Sequence, residues 1–292
     1  MKAIYRPSKQ HQFWMLSVAA GLAFIHISLV WAADDTNLLC SSLIFWPAAF
    51  VLAKEVDLSH SQSGELRGAR LGLLVVGLCL LGANLLQALL NKGTFLYLYP
   101  FFAGIGVVTS FAGLSGFRSY WKSLMLLFFL GVPEVLMYAI VDPAPLTARF
   151  ADVLLWYTGH DVVRDSVWLH LPGGSVEVNQ ACSGLRAMTR LLGMAVLSLL
   201  CLPRRWPLRE VVMLPLIGIG IAFLLNGIRV ALLAILHAAG HEAAFESLHG
   251  GSTSQLFSIV SIFLLMSIIW WLIQHFPQDK LSDVNSLNSE LD

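Results

Sequence analysis

The chain has 292 residues, of which 57% are hydrophobic and 12% are charged, and its mean hydropathy is +0.72. A soluble globular domain carries roughly 25% charged residues, so this composition excludes that class and indicates an integral membrane protein. The formal net charge is zero, which gives no indication of a nucleic-acid partner, and none is expected.

Apolar runs recur along most of the chain, and each approaches the roughly 20 residues that a helix needs to cross the bilayer core. We count eight, at 13–32, 38–53, 71–90, 95–114, 121–141, 183–202, 211–236 and 256–274. The sequence therefore predicts an all-α polytopic membrane protein with about eight transmembrane helices. The first run lacks a clear small-residue cleavage site, which favours a retained span over a removed signal peptide.

Lysine and arginine are distributed unequally between the two sets of loops. Alternating the predicted spans places twelve of these residues on the side of both termini and three on the opposite side. By the positive-inside rule the side with twelve is cytoplasmic, so both termini are predicted inside. The polar tail 276–292 has few apolar residues and is predicted to be a disordered cytoplasmic segment.

The longest exterior segment, 142–181, is predicted to form a small platform. Its first part has apolar residues at a helical spacing, which favours an amphipathic helix along the membrane interface. Those residues are Leu146, Phe150, Val153, Leu154 and Tyr157. The following stretch, "VWLHLPGGSVEV", alternates apolar and polar residues on both sides of "PGG". This pattern predicts a β-hairpin.

Three reactive residue types are predicted to lie at one membrane depth. Cys182 precedes the cytoplasmic end of the sixth span, near residue 202, by twenty residues, or about 30 Å at 1.5 Å per residue. Arg229 follows the cytoplasmic start of the seventh span by a similar length. His249 comes shortly before the eighth span. A cysteine, an arginine and a histidine should therefore meet at the outer boundary.

The surroundings of Cys182 favour a reactive thiol. Ser183 and Gly184 open the next helix, so the sulfur is expected near a helix N-terminus that stabilises an anion. Arg186 and Arg190 follow at intervals of four residues and should share a helical face with the sulfur. Each of these features would favour the thiolate. The alternative is a small buried cysteine with a purely structural role.

Arg229 lies in an apolar setting, "NGIRVALLAIL", where an arginine is costly and usually functional. The alternative is an arginine whose head group reaches the outer interface. Asn226, one turn earlier, either orients Arg229 or substrate, or makes an interhelical hydrogen bond. Among the histidines, His249 is preferred because it precedes the last span, and His241 is the reserve.

The four cysteines, Cys40, Cys79, Cys182 and Cys201, show no spacing typical of metal ligands. The chain also has no HExxH sequence, which argues against a zinc metalloprotease. We therefore expect neither a metal nor another cofactor.

Three short motifs resemble, in order, those of the exosortase/archaeosortase family of membrane transpeptidases. They are "ACSGLR" at 181–186, "NGIR" at 226–229 and His249 before the final span. The resemblance covers roughly residues 95–275, and the "PGGSVEV" hairpin is similar to the cyanobacterial branch. It implies N-terminal transmembrane helices at 1–94, a catalytic core at 95–275 and the tail at 276–292.

The resemblance also implies roles for individual residues. Cys182 would be the nucleophile, and Arg229 and His249 would complete the catalytic trio. From the sequence itself, Arg186, Arg190, Asn226, Ser183 and Gly184 are predicted to support the site or bind substrate; the alternative for Arg190 is a pair with a lipid headgroup or a carboxylate. Position 253 is Thr where many relatives have glycine, which keeps His241 as the reserve histidine.

The family resemblance implies a cysteine protease or transpeptidase of the bacterial cytoplasmic membrane with its active site outside. Its expected partners are secreted proteins with a C-terminal motif, a transmembrane helix and a basic tail, of which PEP-CTERM is the best known, together with membrane lipids. Two alternatives remain. One is a polytopic transporter of an anionic solute, although no internal repeat is found. The other is a non-catalytic subunit of an exopolysaccharide export system.

Overall fold

The computed structural model describes residues 9–56, 82, 93–113, 116–250 and 252–275. The chain forms two compact units, Met1–Ala139 and Ile140–Asp292, and each is described by itself. The predicted span at 71–90, apart from residue 82, and the predicted tail at 276–292 lie outside the described residues.

The first unit is helical in its described part. Its elements are α1 (Lys9–Ala32), α2 (Thr36–Lys54), α3 (Gly93–Ala112), α4 (Gly116–Ser119) and α5 (Trp121–Ile140). A tight turn joins α1 to α2, and Asp35 ends it by accepting a hydrogen bond from the N–H of Leu38 at 2.9 Å. Tyr97 of α3 donates its hydroxyl hydrogen to the other carboxylate oxygen of Asp35. This cap therefore ties α3 to the start of α2.

The second unit combines helices with a small sheet. Its elements are α6 (Ala144–Tyr157), β1 (Val163–Asp165), β2 (Trp168–Leu171), β3 (Gly174–Glu177), α7 (Leu185–Cys201), α8 (Leu208–Ala238), α9 (Glu242–His249) and α10 (Ser252–His275). Helix α8 is central, since it contacts α6, α7, α9, α10, β2 and β3. Residues on α8 can therefore reach every part of this unit that borders the candidate site.

Six helices in the described part are long and apolar enough to cross a membrane. They are Gln12–Ala32, Thr36–Lys54, Gly93–Ala112, Trp121–Ile140, Leu208–Ala238 and Thr253–His275. Each corresponds to a predicted span, which confirms the all-α polytopic class. The predicted span at 183–202 forms α7, which has 17 residues and is shorter than these six. The total number of spans and the assignment of the two membrane sides stay predictions.

The predicted amphipathic helix is α6, and it has two apolar faces. One face buries small residues, Ala144, Thr147, Ala148 and Ala151, together with Leu155. Small side chains allow α6 to pack closely on α8, where the ring of Phe150 lies directly over Gly227. The other face leaves Leu146, Val153 and Tyr157 exposed. These three belong to the face predicted to lie at the membrane interface, whereas Phe150 and Leu154 of that predicted face are half-buried and pack within the unit.

The predicted hairpin is present as β2 and β3, but it is part of a three-stranded antiparallel sheet in the order β1-β2-β3. Strand β1 was not predicted, because its three residues are all exposed and show no apolar alternation. Pro172 and Gly173 form the two-residue loop of the hairpin. Gly173 has a φ of +109°, and a side chain there would collide with the carbonyl oxygen of Ala238. The hairpin tip therefore packs on the end of α8.

Candidate active site

Cys182 lies in the turn that precedes α7, and both of its main-chain groups are held. Its N–H bonds to the side-chain oxygen of Asn179 at 3.0 Å. Its carbonyl oxygen accepts a hydrogen bond from the amide nitrogen of Asn226 on α8 at 2.9 Å. The side chain of Cys182 is buried, with 7% of the residue exposed. The main chain that carries the sulfur is therefore held from two sides.

Ser183 and Gly184 shape the turn. Ser183 is fully buried; its hydroxyl donates to the carbonyl oxygen of Gln180 at 2.7 Å, and its own carbonyl accepts from the hydroxyl of Thr147 at 2.8 Å. Gly184 has a φ of +87°, and a Cβ at this position would lie 2.6 Å from the amide nitrogen of Asn226. Only glycine fits both the left-handed backbone and the close approach of Asn226.

His249 is the last residue of α9, and its imidazole contacts the cysteine. Its Nε2 atom lies 3.3 Å from the Sγ atom of Cys182. The ring stacks on Phe245, one turn earlier, at 5.4 Å between centroids and 22° between planes. The ring of His237 lies against the same phenylalanine at 5.3 Å. The structure therefore brings the predicted cysteine and histidine together, and aromatic packing sets the plane of the imidazole.

Arg229 holds the main chain of the histidine. Its Nε atom donates to the carbonyl oxygen of Leu248 at 3.1 Å, and one terminal nitrogen donates to the carbonyl oxygen of His249. The other terminal nitrogen donates to the side-chain oxygen of Asn226 at 3.4 Å. These contacts satisfy carbonyl groups at the C-terminal end of α9, where a cation is favourable. Asn226 thus contacts Arg229, and its other bond runs to the turn before α7 rather than to a neighbouring helix.

The electrostatic state of the thiol differs from the prediction. Burial raises the pKa of Cys182, and the positive charge of Arg229 opposes this rise. Arg186, Arg190 and the helix N-terminus were predicted to favour the thiolate and so to lower the thiol pKa. That prediction was wrong in direction, because burial of the sulfur away from water raises the pKa by more than nearby charge lowers it. Arg186 is exposed and Arg190 is half-buried on α7. The charge that opposes the rise in the thiol pKa is that of Arg229.

A cavity of about 280 Å³ lies beside the sulfur. Its lining residues come from the sheet, the turn before α7, α8 and α9. They are Trp168, Ser175, Val176, Glu177, Val178, Asn179, Cys182, Val230, Leu233, His237, Phe245 and His249. An apolar wall with a few polar groups is typical of a small ligand site. The cavity is therefore where a substrate would meet the thiol and the imidazole.

Several residues that build this site were not predicted from the sequence. Asn179 stands three residues before the cysteine, a spacing typical of a side chain that caps a turn, and this signal was available. Phe245 and Thr147 carried no such signal, because their roles depend on contacts between distant elements. His241, the reserve histidine, is exposed at the start of α9 and makes no side-chain cap bond. In the described part of the chain, no group of three metal-ligating side chains is found.

The family described as transmembrane exosortase (Exosortase_EpsH) matches residues 31–266. This region begins well before residue 95, where the motif-based resemblance begins, and it includes the cysteine, arginine and histidine described above. No curated protein and no solved structure matches. Because the matched region covers most of the chain, this protein belongs to the transmembrane exosortase family.

Proposed function

We propose that this protein is a membrane-embedded cysteine transpeptidase or protease that cleaves C-terminal sorting signals of secreted proteins through a thioester intermediate. The observation that carries the proposal is the 3.3 Å contact between the sulfur of Cys182 and the Nε2 atom of His249 at the wall of a cavity. A thiol beside a base is the arrangement that cysteine-dependent acyl transfer requires.

The first step is proton transfer from the thiol to the imidazole. Burial raises the pKa of the Cys182 thiol, which favours a protonated resting sulfur. His249 accepts that proton as the sulfur attacks the peptide carbonyl. The thiolate and the imidazolium therefore form only during the reaction. The positive charge of Arg229 stabilises the developing thiolate, which is consistent with its opposing effect on the thiol pKa.

The second step is collapse of the tetrahedral intermediate. The former carbonyl oxygen becomes negative when the S–C bond forms, and a fixed cation or fixed donors lower the energy of that oxyanion. Arg229 is the candidate, since its bonds to Leu248, His249 and Asn226 fix the guanidinium in one orientation. The imidazolium of His249 then gives its proton to the leaving amine as the C–N bond breaks. The acyl group stays on Cys182 until an amine, another acceptor or water takes it.

The substrate we propose is a secreted protein that carries a C-terminal motif, a transmembrane helix and a basic tail. Such a helix shares the bilayer with the enzyme and presents its motif just outside the membrane, which raises the effective concentration of weakly bound segments. The proposed site of action is the outer face of the bacterial cytoplasmic membrane. The excess of lysine and arginine on the opposite loops supports this orientation.

The decisive experiment co-expresses the enzyme with a precursor of this kind from the same genome. We expect Cys182→Ala to leave the precursor uncleaved. The control is Cys40→Ala, which replaces an exposed cysteine on α2 and should process the precursor normally. Trapping of a thioester between precursor and wild-type enzyme would identify the intermediate. Normal processing by Cys182→Ala would refute the enzyme and favour a non-catalytic subunit. Lost uptake of an anionic solute with no precursor accumulating would favour a transporter.

The orientation has its own test. A membrane-impermeant thiol reagent added to intact spheroplasts should modify Cys182 in a variant whose other cysteines are replaced. Modification only after the membrane is opened would place the thiol inside and would separate it from secreted substrates.

A further inference from the structure

Strand β3 has a free edge, and the register shows which of its peptide groups face outward. The N–H of Val178 donates to the carbonyl oxygen of Val167 at 2.9 Å, so these two residues form a hydrogen-bonded pair. Such pairs alternate along antiparallel strands, and Val176 and Gly174 therefore also bond to β2. The N–H and C=O groups of Ser175 and Glu177 point away from β2, because β3 is the last strand of the sheet.

This free edge borders the cavity that contains the thiol. Five consecutive residues, Ser175–Asn179, line the cavity together with Cys182 and His249. In the part of the chain that the structure describes, the outward main-chain groups of Ser175 and Glu177 make no hydrogen bond to protein. Unpaired edge groups beside a binding cavity are a template for another extended chain.

We propose that β3 is the docking strand of the substrate, so that the extended precursor segment beside the scissile bond adds to the sheet as a fourth strand. This inference rests on the proposed function. An added strand would lie about 4.8 Å from β3 and would bond to the main chain of Ser175 and Glu177. Strand β3 leads within five residues to Cys182, so the docking strand and the nucleophile belong to one continuous segment.

The chemistry of the edge identifies its occupant as a peptide. Each of the two outward residues offers one donor and one acceptor, and the two residues are about 6.6 Å apart along the strand. Only an extended polypeptide presents complementary acceptors and donors at that repeat. The wall opposite the strand is apolar at Val230, Leu233 and Phe245. Alternate substrate side chains would therefore meet an apolar surface, and the intervening ones would lie on the sheet face that carries Trp168 and Glu177.

The first test uses the wild-type enzyme and changes only the precursor. Proline and, in parallel, alanine replace each residue that flanks the scissile bond outside the transmembrane helix. Proline removes a main-chain donor, so strand addition predicts a period of two. At alternate positions proline should lower processing about tenfold more than alanine does, and at the positions between them the two should agree within about threefold. Uniform loss, or no difference between proline and alanine, would overturn the proposal.

The second test changes the enzyme. Glu177→Pro removes an outward N–H, Glu177→Ala keeps it, and Arg164→Pro removes the outward N–H on the opposite edge of the sheet, in β1, away from the cavity. We expect Glu177→Pro to process the precursor about tenfold more slowly than Glu177→Ala, with Arg164→Pro close to wild type. Equal losses for proline and alanine at position 177 would assign the effect to the carboxylate and overturn the proposal.

Alkylation of Cys182 by a small thiol reagent serves as the control for the integrity of the site. It should be equal in wild type and Glu177→Pro, because the reagent needs no docking strand. If Glu177→Pro also changes alkylation, the precursor scan alone decides. Different results would contradict the proposed function and the strand addition at β3. Cleavage by Cys182→Ala would remove the proposed function, whereas a cysteine-dependent cleavage without the period of two would remove only strand addition.

Discussion

Each of the two units positions a histidine, and the two environments are opposite. In the first unit His26 is fully buried; its Nε2 atom bonds to the carbonyl oxygen of Leu96 at 3.0 Å, and its Nδ1 atom to the indole nitrogen of Trp46 at 3.2 Å. In the second unit His249 is exposed, and its Nε2 atom lies against a thiol.

The difference shows what makes a histidine available for proton transfer. Both ring nitrogens of His26 are engaged with groups that do not titrate, and its ring also stacks on Tyr99 at 5.3 Å. A proton gained by His26 would break the bond from Trp46, because the acceptor lone pair would be lost. His249 has a titratable partner and access to solvent. We therefore expect His26 to stabilise its unit and His249 to do chemistry.

Removal of the exposed histidine should have the largest effect. We expect His249→Ala to lower precursor processing by a factor on the order of 10² to 10⁴, since a positioned acid–base group contributes about that much. Alkylation of Cys182 at neutral pH should also slow, because the thiol loses its proton acceptor. The control is His241→Ala, which removes an exposed histidine eight residues earlier, just before the same short helix, and should stay within about twofold of wild type. Similar losses in both variants would contradict the assignment.

Replacement of Arg229, which binds the main chain of this histidine, should have the second-largest effect on processing. Arg229→Gln removes the positive charge that opposes the raised pKa of Cys182, so the thiol pKa should rise further. The pH at which Cys182 is half-alkylated should therefore move up, and processing at neutral pH should fall by about 10- to 100-fold. The control is Arg149→Gln on the exposed face of α6. A downward shift of the alkylation profile would be the opposite of this expectation.

The glycine beneath the cysteine should have a smaller effect. Gly184→Ala places a Cβ on a residue with a left-handed backbone, which costs about 1–2 kcal/mol. The new Cβ would also lie 2.6 Å from the amide nitrogen of Asn226. Because Asn226 also bonds to Cys182 and Arg229, we expect processing to fall roughly tenfold. Gly21→Ala, where no atom lies within 4 Å of the new Cβ, is the matched control. Equal processing by the two variants would show that the turn is not constrained.

The buried histidine should have no effect on the chemistry. We expect His26→Ala to lower the free energy of unfolding by about 1–3 kcal/mol, because the indole N–H and the carbonyl group are left without their partner. The thermal midpoint in detergent should fall, whereas the alkylation rate of Cys182 in the folded protein should not change. A large change in the alkylation rate of Cys182 with an unchanged thermal midpoint would contradict the assignment of His26 to stability.

The sequence predicted the parts of this protein that follow from length and helical rise. Six spans are of this kind, since each depends on distances along a regular helix. The common membrane level of Cys182, Arg229 and His249 rests on the same reasoning and stays a prediction. The meeting of Cys182 and His249 depends in addition on α9, which was not predicted. Its sequence, "EAAFESLH", is short and is followed by glycines, and a helix of eight residues is marginal without tertiary contacts.

Two properties of the site needed the three-dimensional structure. One is the role of Arg229, because its main-chain acceptors at Leu248 and His249 become neighbours only when α9 folds back along α8. The other is the pKa of Cys182. Nearby arginines in the sequence indicate the sign of a charge effect, but burial is a property of the packed site, and here burial is the larger cause.

The connection between α8 and α9 consists of only Ala239, Gly240 and His241. So short a connection leaves little room for insertions or deletions in the sequence. One inserted or deleted residue in this connection would displace the start of α9 relative to α8 and carry the imidazole away from the sulfur, although every reactive side chain would still be encoded. We therefore expect homologous sequences to vary freely in the type of residue at positions 239 and 241 but not in the number of residues between the arginine and the histidine.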